Sequence, residues 1–305
     1  MRGRGTLASQ SIVASMQEPR IGSERFRTFV STLHTVPQAT GPIMAATGWA
    51  AIPGSAAADE VASFADPTAV GVLLTEAVQI LTVSADHMGG LQRVLTSPVM
   101  TFAPWTLARA TLELGSTVLW LLDPTIGAVQ RVNRGISLRC QSLNDQVRWL
   151  RNLRSQPELA QELIGMASAQ IEKLVQYASA RNIDVIRARG SEIVGFGERV
   201  PPMTTLTRLA GVEENYRLFS GVAHGRPWAT SVTGFDRVGE ENRLTQDLRV
   251  ESALTIVLSA LEIWLRATFA LFVYAGWDTK RWAGVCDPLL DEAEINDRAR
   301  PWRQP

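Results

Sequence analysis

The stretch Ala253-Leu-Thr-Ile-Val-Leu-Ser-Ala-Leu-Glu262-Ile-Trp-Leu-Arg266-Ala-Thr-Phe-Ala-Leu-Phe-Val-Tyr-Ala-Gly276-Trp277 settles the class of this chain. It is long enough to cross a bilayer, which needs about 20 apolar residues. Glu262 and Arg266 stand near its middle, however, where a charge inside a membrane is costly. Their i,i+4 spacing, acid first, is the favourable order for a pair on one helix face. The segment therefore reads as a buried core helix, and no membrane association is expected.

The neighbouring sequence repeats the helical signal. Ala65-Asp66-Pro67 offers an N-cap aspartate followed by a proline at the first helical position. Val70, Leu73, Leu74, Ala77, Ile80, Leu81 and Met88 then keep helical spacing to about Leu95. Further helices are expected over Pro104–Leu122, about Ile126–Leu153, Pro157–Arg181, Glu213–Ala223 and about Asn242–Ala275, with a short one at Thr204–Leu209. Gly190, Gly195, Gly197 and Pro201-Pro202 make 183–212 otherwise irregular, and Arg226–Glu241 reads as a loop. No strand alternation persists, and no internal repeat is found. The expected fold is all-α: a helical bundle of about five to six helices with a loosely ordered N-terminal segment. Residues 1–66 form that segment, broken by Pro37, Pro42 and Ile52-Pro-Gly-Ser55, apart from a short helix near Glu24–Leu33. Residues 67–277 form the bundle and 278–305 a charged C-terminal tail, whose tryptophans dock on the bundle or on a second subunit.

Composition narrows the chemistry. The 305 residues carry 30 basic and 30 acidic side chains, so the chain is not a general polyanion binder. Cys140 and Cys286 lie far apart without a CxxC pattern, which argues against a disulfide framework or a zinc cluster. The three histidines, His34, His87 and His224, form no HExxH pattern, so no metal and no cofactor are expected. The start, Met1-Arg-Gly-Arg4, lacks the apolar run of a signal peptide, and a cytoplasmic location is expected. Only Lys173 and Lys280 are lysines; the other 28 basic residues are arginines. Arg131, Arg134, Arg139, Arg148, Arg151 and Arg154 face the single acid Asp145 in their span. Of these, Arg131, Arg134, Arg148, Arg151 and Arg154 are candidates for RNA phosphate contacts; the competing reading is a solvated helix face.

The candidate site is Tyr216-Arg217-Leu-Phe-Ser220-Gly-Val-Ala-His224. Seven steps of about 100° bring Arg217 and His224 onto one face. Tyr216 and Ser220 extend a polar strip beside them. Arginine can hold a phosphate and histidine can move a proton near neutral pH. The structural alternative is that His224 ends a helix before the C′ glycine Gly225, while Arg217 pairs with Glu213. Arg109-Ala-Thr-Leu-Glu113 and Glu262–Arg266 are i,i+4 pairs on otherwise apolar helices. Buried, they need partners. The economical arrangement brings both pairs together in the interior, as an ion network or as a polar pocket beside His224. Asp86-His87 could join such a pocket; the competing reading is a partly exposed histidine on a helix.

An arginine followed by a histidine near the end of a helix, in an all-α chain, resembles the HEPN superfamily. The Arg109-x3-Glu113 helix followed by Tyr216-x3-Ser220-x3-His224-Gly225 resembles bacterial DUF5677-type proteins over about residues 68–275. The resemblance implies a metal-independent endoribonuclease, or an RNA-binding protein, in a toxin–antitoxin or phage-defence role. It makes Arg217 and His224 catalytic, with Tyr216, Ser220, Arg109 and Glu113 beside them; Glu262 and Arg266, from the charge-pair reading, complete the supporting polar site. It further implies a homodimer and an antitoxin or defence partner protein. Leu218 departs from the pattern, since active HEPN nucleases often carry a polar residue after the arginine. The alternatives are a non-enzymatic helical interaction module and a small-ligand-sensing protein.

Overall fold

The computed structural model describes residues 23–64, 68–96, 101–188, 192–233, 235–238, 243–246, 250–295 and 297–303. Among them are eleven α-helices and five short strands. The chain is predominantly helical, as expected, but five to six helices is an undercount. The expected Asp66–Pro67 cap and residues 1–22 of the expected lead-in lie outside the described residues. The chain divides into two compact units, one of residues 1–55, 79–120 and 203–305, the other of 56–78 and 121–202.

The first unit holds α1 (Glu24–Ala45), most of α3 (Thr68–Leu95), α4 (Ala103–Leu121), α7 (Met203–Leu209), α8 (Glu213–Ala223), α9 (Pro227–Thr233), α10 (Val250–Ala275) and α11 (Thr279–Glu292). Its centre is α10. Ile256, Val257, Ala260, Leu261, Ile263, Trp264 and Leu265 are all buried, so the helix is covered on successive faces rather than along one stripe. α3 and α10 are long and apolar enough to cross a membrane, and 67% of the α10 window is buried within the protein. That burial is what a core helix requires. Gly115 of α4 allows a close approach to α10: a Cβ there would lie 2.7 Å from Ile263 Cγ1.

Residues 24–45 correct the expectation of a loosely ordered segment. Ser23 accepts from Phe26 N–H to cap α1, and Phe26, Phe29, Val30, Leu33 and Val36 are buried. Pro37 and Pro42 lie inside this helix. Each removes one backbone donor, yet burial of the flanking apolar residues outweighs that loss. The described residues of 278–303 are likewise structured rather than a solvated tail. Trp282 is fully buried in α11, donates from Nε1 to Thr40 Oγ1 at 2.9 Å, and packs against Phe272 and Trp302 at 5.0 and 4.7 Å. β4 (Phe235–Val238) and β5 (Arg243–Gln246) form an antiparallel hairpin, so α10 begins at Val250 rather than near Asn242.

The second unit holds α2 (Ala56–Ser63), the start of α3, α5 (Ala128–Arg151), α6 (Pro157–Ala180) and an antiparallel sheet, β1-β2-β3 (Val185–Arg187, Ile193–Phe196, Glu198–Arg199). α5 packs on α6 and on β2, burying Val132, Ile136, Cys140 and Phe196 together. Ser137 is the polar bolt between helix and sheet: it receives Phe196 N–H at 2.8 Å and donates to Glu198 O at 2.9 Å. Gly195 and Gly197 belong to the tight β2–β3 turn, with Gly197 at φ +69°. Strands of two to four residues are too short to develop a readable alternation.

Candidate functional site

α8 presents the candidate residues. Glu213 and Glu214 occupy its first turn, where carboxylates favour the positive end of the helix. Its C-terminus closes as a Schellman motif. Gly225 N–H reaches Val222 O at 2.9 Å, Arg226 N–H reaches Gly221 O at 2.8 Å, and Gly225 adopts φ +62°. His224 is the C-cap, its N–H bonded to Ser220 O at 3.0 Å. The sequence-level view of Gly225 as the C′ glycine holds, and the geometry leaves the imidazole exposed.

Three elements fix α8. Asn215 Nδ2 donates to Ser259 Oγ of α10 at 2.8 Å. Phe219 packs edge-on against Trp105 of α4, with centroids 5.2 Å apart. At Gly221, a Cβ would fall 2.7 Å from Ala229 Cβ and 2.8 Å from Trp228 Cζ2, so only glycine lets α9 fold back onto α8. Asn215, Ser259 and Trp105 were not singled out from the sequence. Their roles are pairings across more than forty positions of chain, which no local pattern announces.

The packing of α4 on α8 makes the site. Arg109 Nη1 lies 3.0 Å from His224 Nε2, and Arg109 Nε donates to Glu113 Oε1 at 2.9 Å. The guanidinium sits 5.8 Å above the buried Tyr216 ring, within cation–π range. Arg109, Glu113, Tyr216 and His224 thus come together, and the pair with side chains 23% and 28% exposed is open to solvent rather than interior. Among the described residues the Ser220 side chain makes no hydrogen bond to this group; its carbonyl only accepts His224 N–H in the helical ladder.

Arg217 is placed differently. It is exposed and bonds Glu213 through Nε at 3.0 Å and Nη2 at 2.7 Å. Arg208 holds both oxygens of the same carboxylate, donating to Oε2 at 2.7 Å and to Oε1 at 2.9 Å. Hydrogen bonds from Arg208, then from Arg217, pull the Glu213 carboxyl down to about 2. The i,i+4 alternative for Arg217 is therefore the observed one, and Arg109 is the arginine that meets His224.

The second charged pair does not join the first in an interior network. Glu262 and Arg266 have side chains 45% and 33% exposed and pair at 3.8 Å. Arg266 Nη1 instead donates to Ala210 O at 2.9 Å, tying down the turn that leads into α8. With water nearby and an i,i+4 partner on each helix, neither pair needs the other.

The expectation for the arginine segment is corrected at Arg131 and Arg134. Arg131 is buried, pairs with the buried Glu60, and donates through Nη2 to Asp123 O at 2.9 Å and Ile126 O at 2.8 Å. Arg134 is buried with Glu198 and Asp123 as partners. Neither can serve an RNA phosphate, because both are committed inside the unit. Arg139 reaches Glu76, whose burial raises its carboxyl pKa against the lowering effect of that arginine. Arg148 is exposed and paired with Asp145 at 3.1 Å, and Arg151 and Arg154 are exposed. Among the described residues no set of three His, Cys, Asp or Glu side chains gathers as metal ligands.

Comparison with protein-family models, with curated proteins and with solved structures finds no match for this chain.

Proposed function

We propose that the protein binds RNA and cleaves it without a metal at the His224–Arg109 centre. The observation that carries this reading is the 3.0 Å contact of Arg109 Nη1 with the exposed His224 Nε2. Arginine has no acceptor, so Nη1 donates and Nε2 accepts, which places the imidazole proton on Nδ1. A basic lone pair then stands beside a fixed positive charge. An incoming phosphodiester takes the guanidinium through its non-bridging oxygens, and this frees Nε2. His224 then removes the proton of the adjacent 2′-hydroxyl. The 2′-oxygen–phosphorus bond forms as the phosphorus–5′-oxygen bond breaks, and the 5′-oxygen takes up a proton. The products are a 2′,3′-cyclic phosphate and a 5′-hydroxyl. Arg109 stabilises the charge that builds on the phosphorane, and Glu113 and Tyr216 hold Arg109 in place. In this reading the protein acts as a cytoplasmic homodimer with an antitoxin or defence partner, the setting that the HEPN resemblance implies.

A second reading, a non-enzymatic helical interaction module, is favoured by one observation: Arg217, catalytic by resemblance, is engaged by Glu213. The two separate in an RNA cleavage assay with EDTA present. The nuclease reading expects cleavage by the wild type and a loss of about 10²–10³ in rate for Arg109→Ala. His224→Ala should also abolish it, with unchanged circular dichroism, while Arg217→Ala keeps most of the activity. Intact RNA at every protein concentration removes the nuclease reading and leaves the interaction module.

A further inference from the structure

We propose that the groove between α1 and α3 is a binding site for a small zwitterion of amino-acid or dipeptide size. It is an open groove of about 310 Å³, lined by His34, Pro37 and Gln38 from α1 and by Asp86, Gly89 and Arg93 from α3. It shares no residue with the His224–Arg109 centre.

Three observations converge here. The first is charge. Asp86 and Arg93 are seven residues apart on one helix, so they share a face about 10.5 Å apart along its axis. Among the described residues neither makes an ion pair, and the His34 ring makes no hydrogen bond. A carboxylate, a guanidinium and an imidazole thus border one groove with their capacity unspent, unlike the engaged Arg131, Arg134 and Arg217.

The second is the pair of glycines, Gly89 and Gly90, in the middle of the 28-residue α3. Neither adopts positive φ. A Cβ at Gly89 would come no closer than 3.6 Å to any atom, that atom being His34 Nδ1, and one at Gly90 no closer than 3.6 Å to Leu107 Cδ1. Packing therefore accepts alanine at both, in contrast to Gly115 and Gly221. Glycine there weakens the helix without serving the fold. What Gly89 does provide is bare helix surface beneath His34, on which a ligand can lie. The third is Pro37, which lines the groove and whose missing N–H removes the i→i−4 donor to the Leu33 carbonyl.

The charges select the ligand. A simple anion on Arg93 leaves Asp86 facing it, and a simple amine leaves Arg93 unmet. A zwitterion satisfies both, with its ammonium on Asp86 and its carboxylate held bidentately by Arg93. The volume sits at the lower end of the roughly 300–1,000 Å³ usual for small-molecule sites.

Isothermal titration calorimetry on the full chain tests this, with the standard α-amino acids, Gly-Gly, inorganic phosphate and n-butylamine as probes. At least one zwitterion should bind below about 1 mM and about tenfold more tightly than either single-charge probe. Asp86→Asn and Arg93→Gln should each weaken it about tenfold. Gly89→Ala should weaken it similarly while leaving the melting temperature equal or higher, which separates a filled groove from a damaged fold. The proposal is overturned if no zwitterion binds, if phosphate or butylamine binds as tightly, or if binding survives Gly89→Ala and Arg93→Gln unchanged.

Discussion

Arg131→Ala separates an internal strut from a phosphate contact. Arg131 and Glu60 are 6% and 5% exposed, and the guanidinium also serves the Asp123 and Ile126 carbonyls. Alanine leaves a buried carboxylate without its counter-charge and two carbonyls without that donor. Removing one partner of a buried ion pair costs about 3–5 kcal/mol. Equilibrium urea unfolding followed by circular dichroism measures the loss. Arg151→Ala, at an exposed position of the same helix, should stay within about 0.5 kcal/mol of wild type. The double variant Glu60→Leu, Arg131→Met should recover most of the loss, because it removes the stranded charge together with its partner. If Arg131→Ala costs under about 1 kcal/mol and instead weakens RNA binding, the strut assignment is wrong and the residue faces solvent.

Three further outcomes follow from the same geometry. Gly221→Ala should destabilise by about 1–3 kcal/mol through overpacking against Ala229 and Trp228, although helix propensity alone predicts a gain of about 1 kcal/mol; the sign in a urea titration decides between them. The Glu213 carboxyl, held at about 2 against 4.5 in the free group, contributes stability that is complete above about pH 4.5 and is lost as pH falls towards 2. Glu213→Gln should therefore flatten the acid limb of melting temperature against pH between those values, and parallel limbs would contradict the bidentate arginine clamp. Burial pushes the Cys286 thiol up to about 12 and the Cys140 thiol up to about 11. Both should resist a thiol reagent at pH 8 in the folded protein and react after denaturation; rapid labelling of the native chain would show that these positions are open.

Long, strongly patterned helices were readable without the structure. α4, α5, α6 and α8 fall within a few residues of their expected limits, because apolar spacing, Asp123-Pro124 and Gly225 mark them locally. α1 is legible only as a short helix near Glu24–Leu33, and α11 is not legible as a packed helix. Their prolines and charges read as breaks and as a tail, whereas the burial of Phe29, Leu33 and Trp282 that holds them depends on partners distant in sequence. The site was half readable. Tyr216, His224, Arg109 and Glu113 stand out in the sequence and do come together. Angle counting along α8 favoured Arg217 over Arg109, because it sees only one helix. It cannot see that Glu213 sits one turn away with two arginines on it, or that α4 delivers another guanidinium to Nε2.

The sequence by itself determined the helical class, the core placement of Ala253–Trp277 and the Gly225 helix end. Those follow from periodicity, from two charges midway along an apolar run and from a glycine at a left-handed cap, all local properties of the chain. Tertiary structure alone decided what each arginine does. Arginine is always charged and always needs acceptors, but which acceptor it meets is fixed by packing between segments tens of residues apart. Arg131 and Arg134 are used inside the fold, Arg217 is neutralised at its surface, and Arg109 is left facing His224.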